Sequence, residues 1–236
     1  MKYIVLVVAL LLATAPSLAG GARDKAVPSR IEVKYRVSIA GLPIGEGTDV
    51  FQHDGKSYSV VSESNTVGLA AIYPFKLRRE TKGSITADGL RPLSFVETDN
   101  GKFKRGASFD WAAGEVQLTD GERKQTVPLP PNTWDAASFA WSFAFSRSQP
   151  KDLQVYVTDG RRLTEYKYAI LGREKLDTPL GELETVHVKK IQEEGDRRSF
   201  EVWLAIDQHF LPARVRATEK DGTAFDSMVE SVKLVP

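Results

Sequence analysis

The run Ile31-Glu32-Val33-Lys34-Tyr35-Arg36-Val37-Ser38-Ile39 alternates apolar and polar residues without a fault, and a period of two sends every apolar side chain to one face of a strand. The pattern predicts a half-buried antiparallel strand. Ala40-Gly41-Leu42-Pro43 reads as a turn, after which Thr48 to His53 leads to Asp54-Gly55, a pair suited to the positive φ of a tight hairpin. Lys56 to Asn65 should return beside it. Similar pairs recur at Asp88-Gly89, Asn100-Gly101, Asp120-Gly121, Asp159-Gly160 and Asp221-Gly222, each between strand-like runs. Such spacing predicts a mainly β chain built from hairpins, a large curved antiparallel sheet forming an open or half barrel.

Two segments break the rhythm. Thr66 to Phe75, which contains Tyr73, is apolar without a period of two and reads as a loop or short helix on apolar surface. After Pro128-Leu129-Pro130-Pro131, the residues Asp135, Ser138, Ser142 and Ser146 recur at three- and four-residue steps. On a helix they would form a narrow polar stripe, with Phe, Trp and Ala covering the rest. One buried apolar helix near 134–146 is therefore expected against the concave face of the sheet, capped by Thr133 or Asn132 and ended before Pro150. It would join strand groups 28–129 and 151–235. No flexible polar linker separates these groups, so residues 20–236 read as a single antiparallel β domain.

The beginning of the chain supplies an address. Lys2 precedes an apolar stretch from Tyr3 to Ala15, and Ser17-Leu18-Ala19 places small residues at a signal-peptidase site. Residues 1–19 are thus expected to be a cleaved signal peptide, and the mature chain to be periplasmic. No later segment is long and apolar enough to span a bilayer. With no cysteine in the chain, a lipid anchor on that residue type is excluded, and apolar burial and strand ladders must do without disulfides.

Charge narrows the partners. The chain has 32 Lys and Arg against 31 Asp and Glu, and loss of the leader removes Lys2, leaving no net charge. That balance is not one of nucleic-acid binding. The short basic clusters Arg78-Arg79, Lys104-Arg105, Arg161-Arg162 and Arg197-Arg198 each have acids nearby in sequence, and read as solvated strand faces.

Catalytic patterns are sparse. No Gly-x-Ser-x-Gly elbow occurs, and Pro150 prevents the helix that would bring Ser148 to Lys151. His53, His187 and His209 fall in separate strands or turns without a partner at metal-ligand spacing, and no Gly-rich phosphate loop is present. No cofactor or metal is expected. Asp110, Asp135 and Asp207 sit in apolar or Trp-bearing surroundings that could raise a carboxyl pKa and serve a glycosidase-like hydrolase. Turn formation explains Asp110 and Asp207 better, and helix-dipole stabilisation explains Asp135.

Phe109-Asp110-Trp111, the Thr178-Pro179-Leu180-Gly181 turn, and Trp203-Leu204-Ala205-Ile206-Asp207 followed by Leu211-Pro212-Ala213-Arg214 resemble the marks of an exported bacterial family, domain of unknown function 3108. The resemblance covers about residues 31 to 235. It implies a periplasmic, mainly antiparallel β protein without an established activity. More remotely, the C-terminal strand-turn-strand is similar to that of periplasmic lipoprotein carriers, a fold-level analogy.

Together these features favour a non-catalytic binding or carrier module of the bacterial envelope, holding an apolar ligand such as a lipid, or a lipidated partner. Trp134, Trp141 and Phe145 are the expected lining, with Tyr73 and Phe75 as a lid. The alternatives are a packed-core scaffold that acts on an envelope protein through its surface and, third, an envelope hydrolase.

Overall fold

A computed structural model of the protein describes residues 27–72, 74–145 and 152–235. The leader 1–19, Tyr73, Ser146, Ser148 and Lys151 lie outside the described residues. In the first half, β1 (Arg30–Ile39), β2 (Leu42–His53), β3 (Ser57–Thr66), β4 (Lys76–Thr86), β5 (Gly89–Asp99), β6 (Lys102–Asp110), β7 (Glu115–Asp120) and β8 (Arg123–Pro128) form an antiparallel meander. In the second half come β9 (Thr133–Asp135), α1 (Phe139–Phe145), β10 (Asp152–Thr158), β11 (Leu163–Thr178), β12 (Gly181–Lys190), β13 (Ser199–Ala205), β14 (Leu211–Thr218) and β15 (Ala224–Val235). The first and last strands pair with each other, Arg30 opposite Val235. All fifteen strands therefore belong to one sheet, with β8 and β9 as its two edges.

The expected mainly β fold, a large curved sheet with one helix, is the one observed. All six Asx-Gly pairs sit at turns joining adjacent strands, and their glycines have φ between +58° and +113°. Ile31, Val33 and Tyr35 of β1 are buried while Lys34 and Arg36 are exposed, so the alternation read from sequence becomes an inner and an outer face. The apolar stretch after β3 contains a 3₁₀ turn, Gly68–Ile72, whose Ile72 is exposed.

The helix is shorter than expected, and the difference has a physical cause. Trp134 and Asp135 belong to β9, which pairs in parallel with β10 through Thr133–Tyr156 and Asp135–Thr158. Asp135 Oδ1 then accepts the Ala137 and Ser138 N–H groups at 2.9 and 3.0 Å, and the Ser138 hydroxyl donates to Oδ2 at 2.8 Å. Asp135 and Ser138, read as the start of a helical polar stripe, instead build a turn, and of that stripe Ser142 lies on the helix. Neither Thr133 nor Asn132 caps the helix: the Thr133 hydroxyl donates to the Pro130 carbonyl at 2.7 Å. The first helical bond runs from Ser142 N–H to the Ser138 carbonyl.

The short α1 fills the inside of the curl with different side chains on different sides. Trp141 joins Phe51, Tyr58, Val60 and the buried residues of β1 in one cluster. Phe139 and Phe143 join Val155, Tyr168, Val188 and Val202 in a second. A third cluster, with Phe95, Phe109, Val116 and Leu118, packs the β5–β8 arm against Leu129 and Ala137. Full burial of each large apolar side chain contributes about 1.5–3 kcal/mol, so three aromatic clusters supply the cohesion that disulfides provide elsewhere.

Candidate ligand cleft

The sheet's edges do not hydrogen-bond to one another as strands. β9 instead lies against β4 and β5, where the Thr81 hydroxyl donates to Asp135 Oδ2 at 2.7 Å and Trp134 Nε1 donates to the Leu90 carbonyl at 3.0 Å. Burial pushes the Asp135 carboxyl above its ordinary pKa, and the hydroxyl and backbone donors around it oppose that rise. Tyr58, also buried and near Asp135, is raised for the same leading reason.

Further along the seam, the hairpin between β10 and β11 crosses to β6. Arg105 Nη1 donates to Asp159 at 2.7 Å, and Gln125 of β8 donates to the Arg161 carbonyl at 3.2 Å. Gly160 combines φ of +87° with a close approach, since a Cβ there would lie 2.8 Å from the Gly106 nitrogen. Only glycine meets both requirements without strain. Asp159 Oδ1 also accepts the Arg161 and Arg162 N–H groups at 3.0 and 3.2 Å, which holds the hairpin tip in shape.

Beside this clamp opens a cleft of about 470 Å³, within the usual size of small-molecule sites. Its aromatic lining consists of Phe139, Tyr166, Tyr168 and Phe200. The Phe139 ring lies 4.9 Å from Tyr168 and 6.1 Å from Phe200. Burial raises the Tyr168 hydroxyl well above its ordinary pKa, so it stays neutral.

The walls carry Arg79, Arg105, Arg161, Arg162, Lys190 and Arg198. Glu97, fully buried, accepts from both Arg79 and Arg105 at 2.7 Å. Lys190, itself buried, bonds Asp196 at 2.6 Å and stands 5.0 Å from the Tyr166 ring centre, a cation–π arrangement. That bond, with the Arg198 N–H, holds Asp196 well below the ordinary carboxylate range. Each basic cluster read from the sequence as a solvated strand face thus sends at least one cation to a single cleft. The sequence offered a faint signal for three of them, because Lys104-Arg105, Arg161-Arg162 and Arg197-Arg198 each follow shortly after a turn glycine.

The residues expected to line an apolar site are only partly brought together. Trp141 and Phe145 both pack on Phe51, each at 5.2 Å between ring centres, and Trp141 is only 1% exposed. Trp141 Nε1 also donates to Asp49 at 3.4 Å, a carboxyl that burial raises. Trp134 lines a separate hollow of about 270 Å³ with Leu90, Trp111 and Pro131. Phe75 is 41% exposed next to β4 and lines neither hollow.

The remaining candidate residues have structural partners. Asp110 accepts the N–H groups of Ala112 and Ala113, closing a turn, and Asp207 lies in a 3₁₀ turn. His53 bonds the Val27 carbonyl and accepts Gly55 N–H. His209 has φ of +57° at the end of that 3₁₀ turn. His187 has partners that its position in sequence did not suggest: it bonds Glu201 at 3.0 Å and stacks on Trp203 at 4.2 Å. The Arg214 guanidinium lies 4.7 Å from the same Trp203 ring and is held by Asp226. Trp203 and Arg214, both within the resembled motifs, therefore serve a cross-strand stack.

A family model described as a protein of unknown function (DUF3108) matches residues 34–229. No curated protein matches the chain. A β-barrel-like protein of domain of unknown function DUF1849 from Brucella abortus is similar with a TM-score of 0.57 at 10% identity, covering 89% of this chain and 99% of that one. A DUF1089 family protein from Pseudomonas aeruginosa has a TM-score of 0.39 at 12% identity, covering 71% and 87%. The first likeness concerns fold alone, and the second carries no argument. Among the described residues no helix is long and apolar enough to cross a membrane.

Proposed function

The chain belongs to the DUF3108 family of proteins of unknown function, and we propose that it is a non-catalytic periplasmic binding or carrier module whose ligand enters the cleft beside α1. The observation that carries this reading is the cleft of about 470 Å³ with Phe139, Tyr166, Tyr168 and Phe200 in its lining. A curled sheet packed evenly around its helix would leave no such opening. Trp134, Trp141 and Phe145 act from behind: they hold α1 and β9 in place, and Phe139 stands on α1. The sequence of residues 1–19 supports export.

Native mass spectrometry of the chain recovered from periplasm without detergent tests the reading. The expected result is a start near Gly20 and an adduct mass that organic extraction removes. A cytoplasmic chain with its leader intact would overturn the location. A ligand-free mass, together with no uptake of added amphiphiles, would overturn the carrier role.

A further inference from the structure

The cleft is also charged, and the distribution of that charge points to a ligand class. With Glu97 and Asp196 behind the wall, four acids, Glu97, Asp159, Asp196 and Glu219, face six cations. The cleft therefore keeps an excess of two positive charges while the mature chain as a whole is balanced. Arg79, Arg105, Lys190 and Arg198 each have an acid partner. Arg161 and Arg162 make no side-chain ion pair among the described residues, although both line the cleft. They also line a second hollow that shares Arg198 and Glu219 with the first and adds Lys220 and Asp221.

Unpaired guanidinium groups in a concave wall suit an anion, because they offer several fixed donors and remain charged at any working pH. The tip that carries them is preorganised by Asp159 and by Gly160 on β6, so little ordering is left for binding to supply. Phe200 and Tyr166 place apolar surface next to the same cations. We infer that the cleft takes a single-chain anionic amphiphile, its phosphate or carboxylate held between Arg161, Arg162 and Arg198 and its apolar part against Phe200 and Tyr166. This inference rests on the binding reading above and names the ligand class.

Calorimetric titration with decyl phosphate, decanoate, 1-decanol and inorganic phosphate tests it. Decyl phosphate and decanoate should bind at least tenfold more tightly than decanol, with affinity falling as salt screens the charges. Inorganic phosphate should bind at least tenfold more weakly than decyl phosphate. The double variant Arg161→Ala/Arg162→Ala, at exposed positions, should lose at least tenfold in decyl phosphate affinity with decanol binding unchanged. Equal affinity for decanol and decyl phosphate, or an unaffected double variant, would overturn the anion inference and leave the binding module intact. Equal affinity for inorganic and decyl phosphate would assign a free-anion site and overturn the amphiphile. Failure of every chain-bearing ligand to bind would overturn both readings.

Discussion

Two sides of one seven-residue helix meet different fates. On the side of β1–β3, Trp141 stacks on Phe51 and is 1% exposed, so the helix completes a solid core. Toward β11 and β13, Phe139 touches Tyr168 and Phe200 and reaches an open cleft. The side chains are of one kind, and the difference comes from what stands across from them. Rings directly opposite Trp141 close the space, whereas charged side chains that must stay solvated or paired keep the other side from collapsing. Apolar content alone therefore distinguishes neither a core from a cleft floor nor a carrier from a scaffold.

The largest effect should separate the two sides directly. Trp141→Ala should destabilise the protein by about 3–5 kcal/mol, the range for truncating a large buried aromatic, in chemical denaturation. Phe200→Ala, half-buried at the cleft, should cost about 1–2 kcal/mol and should weaken decyl phosphate binding. Equal losses of stability would abolish the distinction.

A smaller effect should be confined to the open side. Gly160→Ala adds a Cβ against Gly106 at positive φ, and should cost on the order of 1–2 kcal/mol. Hydrogen exchange should accelerate in the β10–β11 hairpin and β6 while β1–β3 stay protected. Acceleration spread evenly over the sheet would mean that the clamp serves the whole fold and not the cleft.

The smallest effect concerns the joint between the sides. Asp135 has its pKa raised by burial, so the folded state holds its proton more tightly than the unfolded state. Its stabilising contribution is present below the ordinary carboxyl range and is lost as pH rises through the folded value. Asp49, also raised by burial, acts in the same direction. Asp135→Asn should stay within about 1 kcal/mol of the parent near pH 4, since the Thr81 and Ser138 hydroxyls can turn to accept. It should reduce the fall in stability between pH 4 and 7 without removing it, because Asp49 remains. An unchanged slope would show that Asp135 is not the group that titrates.

Part of this structure was legible beforehand because local rules sufficed for it. Alternation in β1 depends only on the pleat, and Asx-Gly turns depend only on which residues tolerate positive φ. The turns carried over at every pair, and the alternation held from Ile31 to Arg36 before fading over Val37–Ile39, where the register to β2 shifts. Asp135 and Ser138 were misleading because three- and four-residue spacing fits a helix as well as a tight turn, and the choice was made by the backbone pairing of β9 with β10. Likewise Arg79, Arg105, Arg161 and Arg198 stand far apart in sequence, each near an acid, and apart from the turn glycine that precedes three of them nothing local distinguishes a solvated pair from half of a cleft.

Local chemistry along the chain accounts for a cysteine-free β fold with its hairpins and for an apolar helix near its middle. Each of these follows from a short stretch of chain and its own chemistry. Tertiary structure alone decided that β1 and β15 pair, that the β8–β9 seam stays open, and that four dispersed basic clusters share one cleft. Those outcomes depend on strand pairing and charge solvation between residues up to 206 positions apart, as Ser29 and Val235 show, and no local pattern encodes a distance of that length.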